Sequence, residues 1–282
     1  MRSDLHKVAW RRATQSAPSH MLTRALGTPL APRKWLFVVG CYNSGTTLLS
    51  RLLLGHPQIS GLTEEGMFLT DRLDMPENHG WTRMWSQCEA EIRARDAAMT
   101  DADFDAIRRQ WGFWEKGPVD VYLEKSIPNV LRMEALQAAF APACFVHIVR
   151  NGFAVAEGIQ RKAQLKRFPN RQHPDRYPIE LCAEQWRRSL EVVEEARPRL
   201  TNFLEITYED LCAAPEATLG AVEDFVGIQR GGVDVAGEFT IHKTKSAVQD
   251  MNARSLAKMK PADRDAILGV CADALTARGY WP

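Results

Sequence analysis

The chain has 282 residues, 45% of them apolar and 25% charged, with a formal net charge of +1. That length fits one large α/β domain rather than two full ones, and the near-neutral balance excludes bulk electrostatic binding to nucleic acid. No apolar run approaches the ~18 residues of a membrane span, and the N-terminus has no apolar signal core, so a soluble, cytoplasmic protein without stable membrane insertion is expected.

Residues 1–34 carry Arg2, Lys7, Arg11, Arg12, Arg24, Arg33 and Lys34, interrupted by Pro18, Pro29 and Pro32. They read as a basic, partly helical N-terminal extension, solvated or bound to a partner or membrane surface. Residues 35–282 are expected to form a single domain. Trp35–Val39 is a continuous apolar run, the pattern of a strand covered on both faces in a parallel sheet. Beyond Gly40 and Gly45, Leu48, Leu49, Leu52 and Leu53 recur at helical spacing, so a helix begins inside a loop made of Asn43, Ser44, Gly45, Thr46 and Thr47. Its first N–H groups lack intrahelical partners and carry the positive end of the dipole, which makes the loop a cradle for an oxyanion.

The spacing from Gly40 to Gly45 matches the opening of a Walker A loop, but Thr46 and Thr47 stand where that motif has Lys and Ser or Thr. Without the lysine that bridges the outer phosphates of a nucleoside triphosphate, the cradle suits a smaller 5′-phosphate group. The cysteines, at positions 41, 88, 144, 182, 212 and 271, form no C-x-x-C pair, so no zinc site or disulfide framework is indicated and a reducing compartment fits. Cys41, inside the loop, reads as a small neutral filler.

Gly55-His56-Pro57 ends the helix and leads to an acid pair, Glu64 and Glu65. Residues 70–118 hold Trp81, Trp85, Trp111 and Trp114, a substrate wall or packed core, with a helix near Asp101–Trp114 and a spare base candidate in His79. A second strand at 121–123 delivers Glu124, Lys125 and Ser126. Because ligands of open parallel sheets collect at the carboxyl ends of strands, Lys125 is expected to point toward the cradle. A helix is expected over 128–140 and a third strand over 144–149, ending at Arg150. Residues 160–177 are basic and loop-like, suited to an anionic ligand or to solvent. Helices over 179–196 and 215–226 flank a strand at 203–206, which runs into Tyr208, Glu209 and Asp210; Trp186 reads as core. No internal repeat is present.

Taken together, these words resemble the sulfotransferases that use 3′-phosphoadenosine 5′-phosphosulfate, PAPS, closest in motif style to the tyrosylprotein, heparan and bacterial types. Ser44-Gly45-Thr46-Thr47 is similar to that family's 5′-phosphosulfate loop, with Asn43 in place of a basic residue. Arg150 corresponds to the arginine that holds the 3′-phosphate, whereas Asn151, Gly152 and Gly158 depart from the family's Asp-Pro and Ser; a guanidinium keeps the stronger part of that contact. Tyr208 corresponds to a tyrosine near the adenine. Lys243, Lys245 and Ser246 are candidates for a late segment over the 3′-phosphate.

The resemblance implies a three-layer α/β, P-loop NTPase-like fold, with a central parallel sheet flanked by helices. It also implies PAPS as co-substrate, PAP as product, no metal, and a small-molecule, glycan or lipid acceptor. Glu64 is the first candidate for the general base and Glu65 the second. Lys125, like the lysine of a similar Glu-Lys-Ser in heparan-type relatives, is expected to supply the cation that Asn43 does not. The alternatives are a P-loop nucleotide kinase, which predicts a Walker lysine, and a catalytically impaired nucleotide-binding module.

Overall fold

A computed structural model describes residues 14–62, 64–115, 120–233, 239–241, 244–246, 248–257 and 259–281. Helix α1 (Ala17–Leu26) begins behind Ser16, whose Oγ accepts from Ser19 N. It precedes strand β1 (Lys34–Gly40) and helix α2 (Thr46–Leu53). Strand β2 (Ile59–Gly61), helices α3 (Glu89–Ala97) and α4 (Asp101–Trp114) and strand β3 (Val121–Glu124) follow. Next come α5 (Met133–Ala139), β4 (Ala143–Val149), α6 (Gly152–Lys162), α7 (Ile179–Ala196) and β5 (Phe203–Thr207). The remainder holds α8 (Tyr208–Ala213), α9 (Pro215–Val226), the antiparallel pair β6 (Phe239–Ile241) and β7 (Thr244–Ser246), α10 (Asn252–Leu256) and α11 (Pro261–Ala277).

Strands β1 to β5 form one parallel sheet in the order β2-β3-β1-β4-β5. Alternation along β1 explains why its sequence is apolar throughout. Trp35, Phe37 and Val39 face one layer, with Trp85, Trp111, Phe140, Phe145 and Trp186, while Leu36 and Val38 face the other, with Leu49, Leu52, Leu53, Val222 and Val226. Both faces are therefore covered, and the result is the expected three-layer α/β fold.

Trp85 and Trp111 are fully buried and belong to this core rather than to an aromatic wall. Trp81 stacks on Tyr177 with ring centroids 5.9 Å apart. Among the described residues, no helix is long and apolar enough to cross a membrane.

Two local expectations change. Residues 128–140 do not form one helix: a short 3₁₀ turn (Ile127–Leu131) precedes α5, and Arg132 breaks the run with φ −126° and ψ 19°. Its guanidinium is drawn to Asp96 Oδ2 at 2.9 Å and to the Asp74 carbonyl at 2.8 Å, interactions that a local helical pattern cannot register. The lead-in is also packed where it is described. Gln110 Nε2 donates to His20 O, and Leu30 N donates to Arg108 O, fastening residues 20–30 along α4. Residues 1–13, with Arg2, Lys7, Arg11 and Arg12, lie outside the described residues.

Candidate active site

The sheet brings together the ends of four strands. Behind β1 comes the loop 41–45, behind β3 Lys125, behind β4 Arg150 and behind β5 Tyr208, all at carboxyl ends of parallel strands, where open α/β sheets bind ligands.

The loop is curled by two left-handed residues, Asn43 at φ 63° and Gly45 at φ 104°. Ser44 Oγ donates to the Cys41 carbonyl at 2.7 Å, so this hydroxyl closes the loop. Leu49 N donates to Gly45 O as the helix begins, leaving the N–H groups of Thr46 and Thr47 at the dipole's positive end. Gly45 is required sterically as well: a β-carbon there would lie 2.6 Å from Tyr208 Cδ2. Burial pushes the Cys41 thiol up to about 12, which keeps it a neutral filler.

Arg150 lies over Tyr208, its Cζ 4.1 Å from the ring centroid. Nε donates to Asn252 Oδ1 and Nη1 to the Asn43 carbonyl, both at 2.8 Å. Nη2 is buried without a partner. The Tyr208 hydroxyl donates to Gln249 O and accepts from Met251 N, so the ring is held between the loop and the guanidinium and acts as a spacer.

Glu209, next to Tyr208, gathers the region. Its carboxylate accepts from Asn151 N, the Asn252 amide and the Tyr280 hydroxyl. Asp210 does belong to a cap, exchanging hydrogen bonds with Thr207. Asn252 closes over Arg150 from the late part of the chain. Lys243 lies outside the described residues, and Lys245 and Ser246 fall in β7.

The departures from the family pattern have local causes. Asn151 caps α6, its Oδ1 accepting from Phe153 N and Ala154 N. Gly152 backs onto Trp186, where a β-carbon would lie 2.7 Å from Cε3. A β-carbon on Gly158 would come within 3.0 Å of Asn43 Cβ and Cγ, so the loop asparagine and the helix glycine occupy one shared space. Both polar atoms of the Asn43 side chain are buried without a partner.

On the other side of β1, Lys125 Nζ donates to Glu65 Oε1 at 2.5 Å, with both side chains partly buried. A fixed frame holds that pair. Glu124, fully buried, accepts from Gly66 N at 2.8 Å and Ser126 Oγ at 2.5 Å through Oε1, and from the Asn129 amide through Oε2. Ser126 Oγ accepts from Met67 N, and Trp111 Nε1 donates to Gly66 O. Burial raises the Glu124 carboxyl above its ordinary value. Of the acid pair, it is thus Glu65 that meets Lys125, while His79 is engaged by Asp74 at 2.8 Å.

Three further side chains belong to this neighbourhood: Arg83 and Glu77, which carry no sequence word of their own, and Lys162, from the basic run expected over 160–177. Arg83 lies over the Tyr42 ring at 5.3 Å. Burial, with the Glu65 charge adding to it, pushes Glu77 up to about 7. Partial burial followed by the charges of Arg83, Arg161 and Arg150 pushes Lys162, at the exposed rim, down to about 8.

The fold and these strand-end residues can be set beside known proteins. Protein-tyrosine sulfotransferase 1 of Danio rerio is 26% identical over 282 aligned residues, covering 91% of this chain and 76% of that protein. Protein-tyrosine sulfotransferase 2 of Gallus gallus is 28% identical over 204 residues, covering 68% of this chain and 51% of its own length. The crystal structure of mouse sulfotransferase SULT7A1 complexed with PAP has a TM-score of 0.51 at 13% identity, covering 94% of this chain and 91% of that one, a likeness of fold. The family model described as the sulfotransferase family matches residues 36–231 and so spans the phosphate loop, the Glu65–Lys125 pair, Arg150 and Tyr208. By that match, the chain belongs to the sulfotransferase family.

Proposed function

We propose that the protein transfers a sulfuryl group from PAPS to a hydroxyl or amine acceptor and releases 3′,5′-ADP. One observation carries this reading: a buried guanidinium nitrogen of Arg150 lacks a partner beside the helix-start cradle, so two anion sites adjoin. The unpartnered Asn43 amide supports the same fit, because buried polar atoms without partners are costly unless a ligand or water satisfies them. The PAP complex of SULT7A1 and the names of the tyrosine-specific relatives make PAPS the donor to test and a phenolic hydroxyl the first acceptor.

Arg150 would hold the 3′-phosphate end, and Asn43 with the N–H groups and hydroxyls of Thr46 and Thr47 the 5′ end. Bound there, PAPS supplies the sulfuryl group for in-line displacement. Glu65 takes the proton from the acceptor. Lys125 orients Glu65, while the Glu124 frame fixes the backbone at Gly66 and thereby the direction of Glu65. With the Glu65 proton acceptor at one side, the ammonium of Lys125 also stands ready to oppose charge that develops during transfer.

The test is release of 3′,5′-ADP from PAPS with a panel of phenolic, aliphatic hydroxyl and amine acceptors. Glu65→Gln should lower kcat about 10²- to 10⁴-fold with nucleotide affinity retained, and Glu64→Gln should cost far less. Full activity in Glu65→Gln would remove the proposed base.

A further inference from the structure

The cradle's own loop carries Asn43 where a cation would face the 5′ end of the donor, and Lys125 is engaged by Glu65 at 2.5 Å. A different cation stands over the loop. Arg83 lies between the short turns Pro76–His79 and Trp85–Cys88, and its Cζ is 5.3 Å from the ring centroid of Tyr42, the residue next to Asn43. Its Nε is buried without a partner.

The placement is enforced. Arg83 adopts φ 62°, a left-handed conformation that side chains with a β-carbon take only when the surroundings over-determine it. Around it the charges are arranged asymmetrically. Glu77 feels the Glu65 charge and also that of Arg83, on the side of the base, while Lys162 feels Arg83, Arg161 and Arg150 on the side of the 3′-phosphate arginine. Arg83, Lys162 and Arg150 thus form a group of neighbouring cations, two of them with a buried unpartnered guanidinium nitrogen. An anion with oxygens at both ends would satisfy those donors, since a guanidinium holds phosphate-like oxygens through a planar fork.

We propose that Arg83 is the cation that the loop itself lacks and that it binds the 5′-phosphate end of the donor nucleotide. The inference rests on the donor reading above and assigns one more residue to the same site. It places the cation that faces the 5′-phosphate on the segment between β2 and β3 instead of on the phosphate loop, and it leaves Lys125 to position the base and to oppose charge that develops during transfer.

Calorimetric titrations with 3′,5′-ADP, 5′-AMP and 3′-AMP separate the two ends of the ligand. Arg83→Ala should weaken 3′,5′-ADP and 5′-AMP roughly 10- to 100-fold and leave 3′-AMP within about two-fold. Arg150→Ala should show the opposite preference, and Arg83→Lys should recover part of the loss with an unchanged melting temperature, which guards against a folding defect.

Two outcomes overturn the assignment while leaving the donor reading in place. One is wild-type affinity for 3′,5′-ADP in Arg83→Ala. The other is a rise in acceptor KM with nucleotide affinity intact, which would make Arg83 an acceptor-binding residue. Failure of the wild-type protein to bind 3′,5′-ADP overturns the donor reading, and this inference with it.

Discussion

Glu77 offers a test of the site's electrostatics that needs neither donor nor acceptor. Its carboxyl is nearly enclosed and one oxygen, Oε2, has no hydrogen-bond partner. Burial, reinforced by Glu65, moves it from an ordinary 4.5 to about 7. In the unfolded chain it loses its proton near the lower value, in the native protein near the upper one. Between the two, the native state binds more protons, so stability falls as pH rises through that window. At ~1.4 kcal/mol for each pH unit, the loss amounts to about 3 kcal/mol.

Glu77→Gln carries no titrating proton and lacks this loss. Urea unfolding of both proteins at pH 5, 6.5 and 8, without ligand, isolates the contribution, because other titrating groups largely cancel in the difference. The variant should gain about 3 kcal/mol on wild type between pH 5 and pH 8. A difference that stays constant across that range would refute a carboxyl raised by burial at this position.

Two other substitutions probe the frame around the site. Glu124→Gln places an amide N–H₂ against donors from Gly66, Ser126 or Asn129; it should cost about 1–3 kcal/mol of stability and lower kcat by loosening Glu65, read from urea melts and single-turnover rates. Gly45→Ala forces a β-carbon toward Tyr208 at φ 104°; it should cost about 1–3 kcal/mol, lower the melting temperature and weaken 3′,5′-ADP binding.

The parts legible in sequence are those written by local patterns. The apolar run of β1, the glycine spacing of the loop and the leucine periodicity of α2 each depend on neighbours a few residues away. Helices α4, α7 and α9 are equally open to reading because periodicity coincides with a Thr100–Asp103 capping box in α4 and with Pro or Gly punctuation in α7 and α9. The break at Arg132 was not, because Asp96 and Asp74 make it from other parts of the chain.

The same distinction applies within the site. Arg150 and Tyr208 follow from strand ends, but Asn252 reaches Arg150 across 102 positions, and no motif announces it. Which acid of the pair meets Lys125 depends on Glu124 holding Gly66, a contact between residues 58 positions apart. Arg83 and Glu77 lie in a segment of short turns whose placement is set by packing on Tyr42 and its neighbours, beyond the reach of spacing rules.

In the proposed function, the cradle and Arg150 together hold a nucleotide with phosphates at its 3′ and 5′ positions. A thermal-shift comparison of 3′,5′-ADP, 5′-AMP and Mg-ATP at equal concentration tests it most directly, since a ligand that binds only the native state raises the melting temperature by an amount that grows with the logarithm of its affinity. The largest rise is expected with 3′,5′-ADP, a smaller one with 5′-AMP, and the gap between them should be lost in Arg150→Ala. A larger rise with Mg-ATP than with 3′,5′-ADP would contradict it.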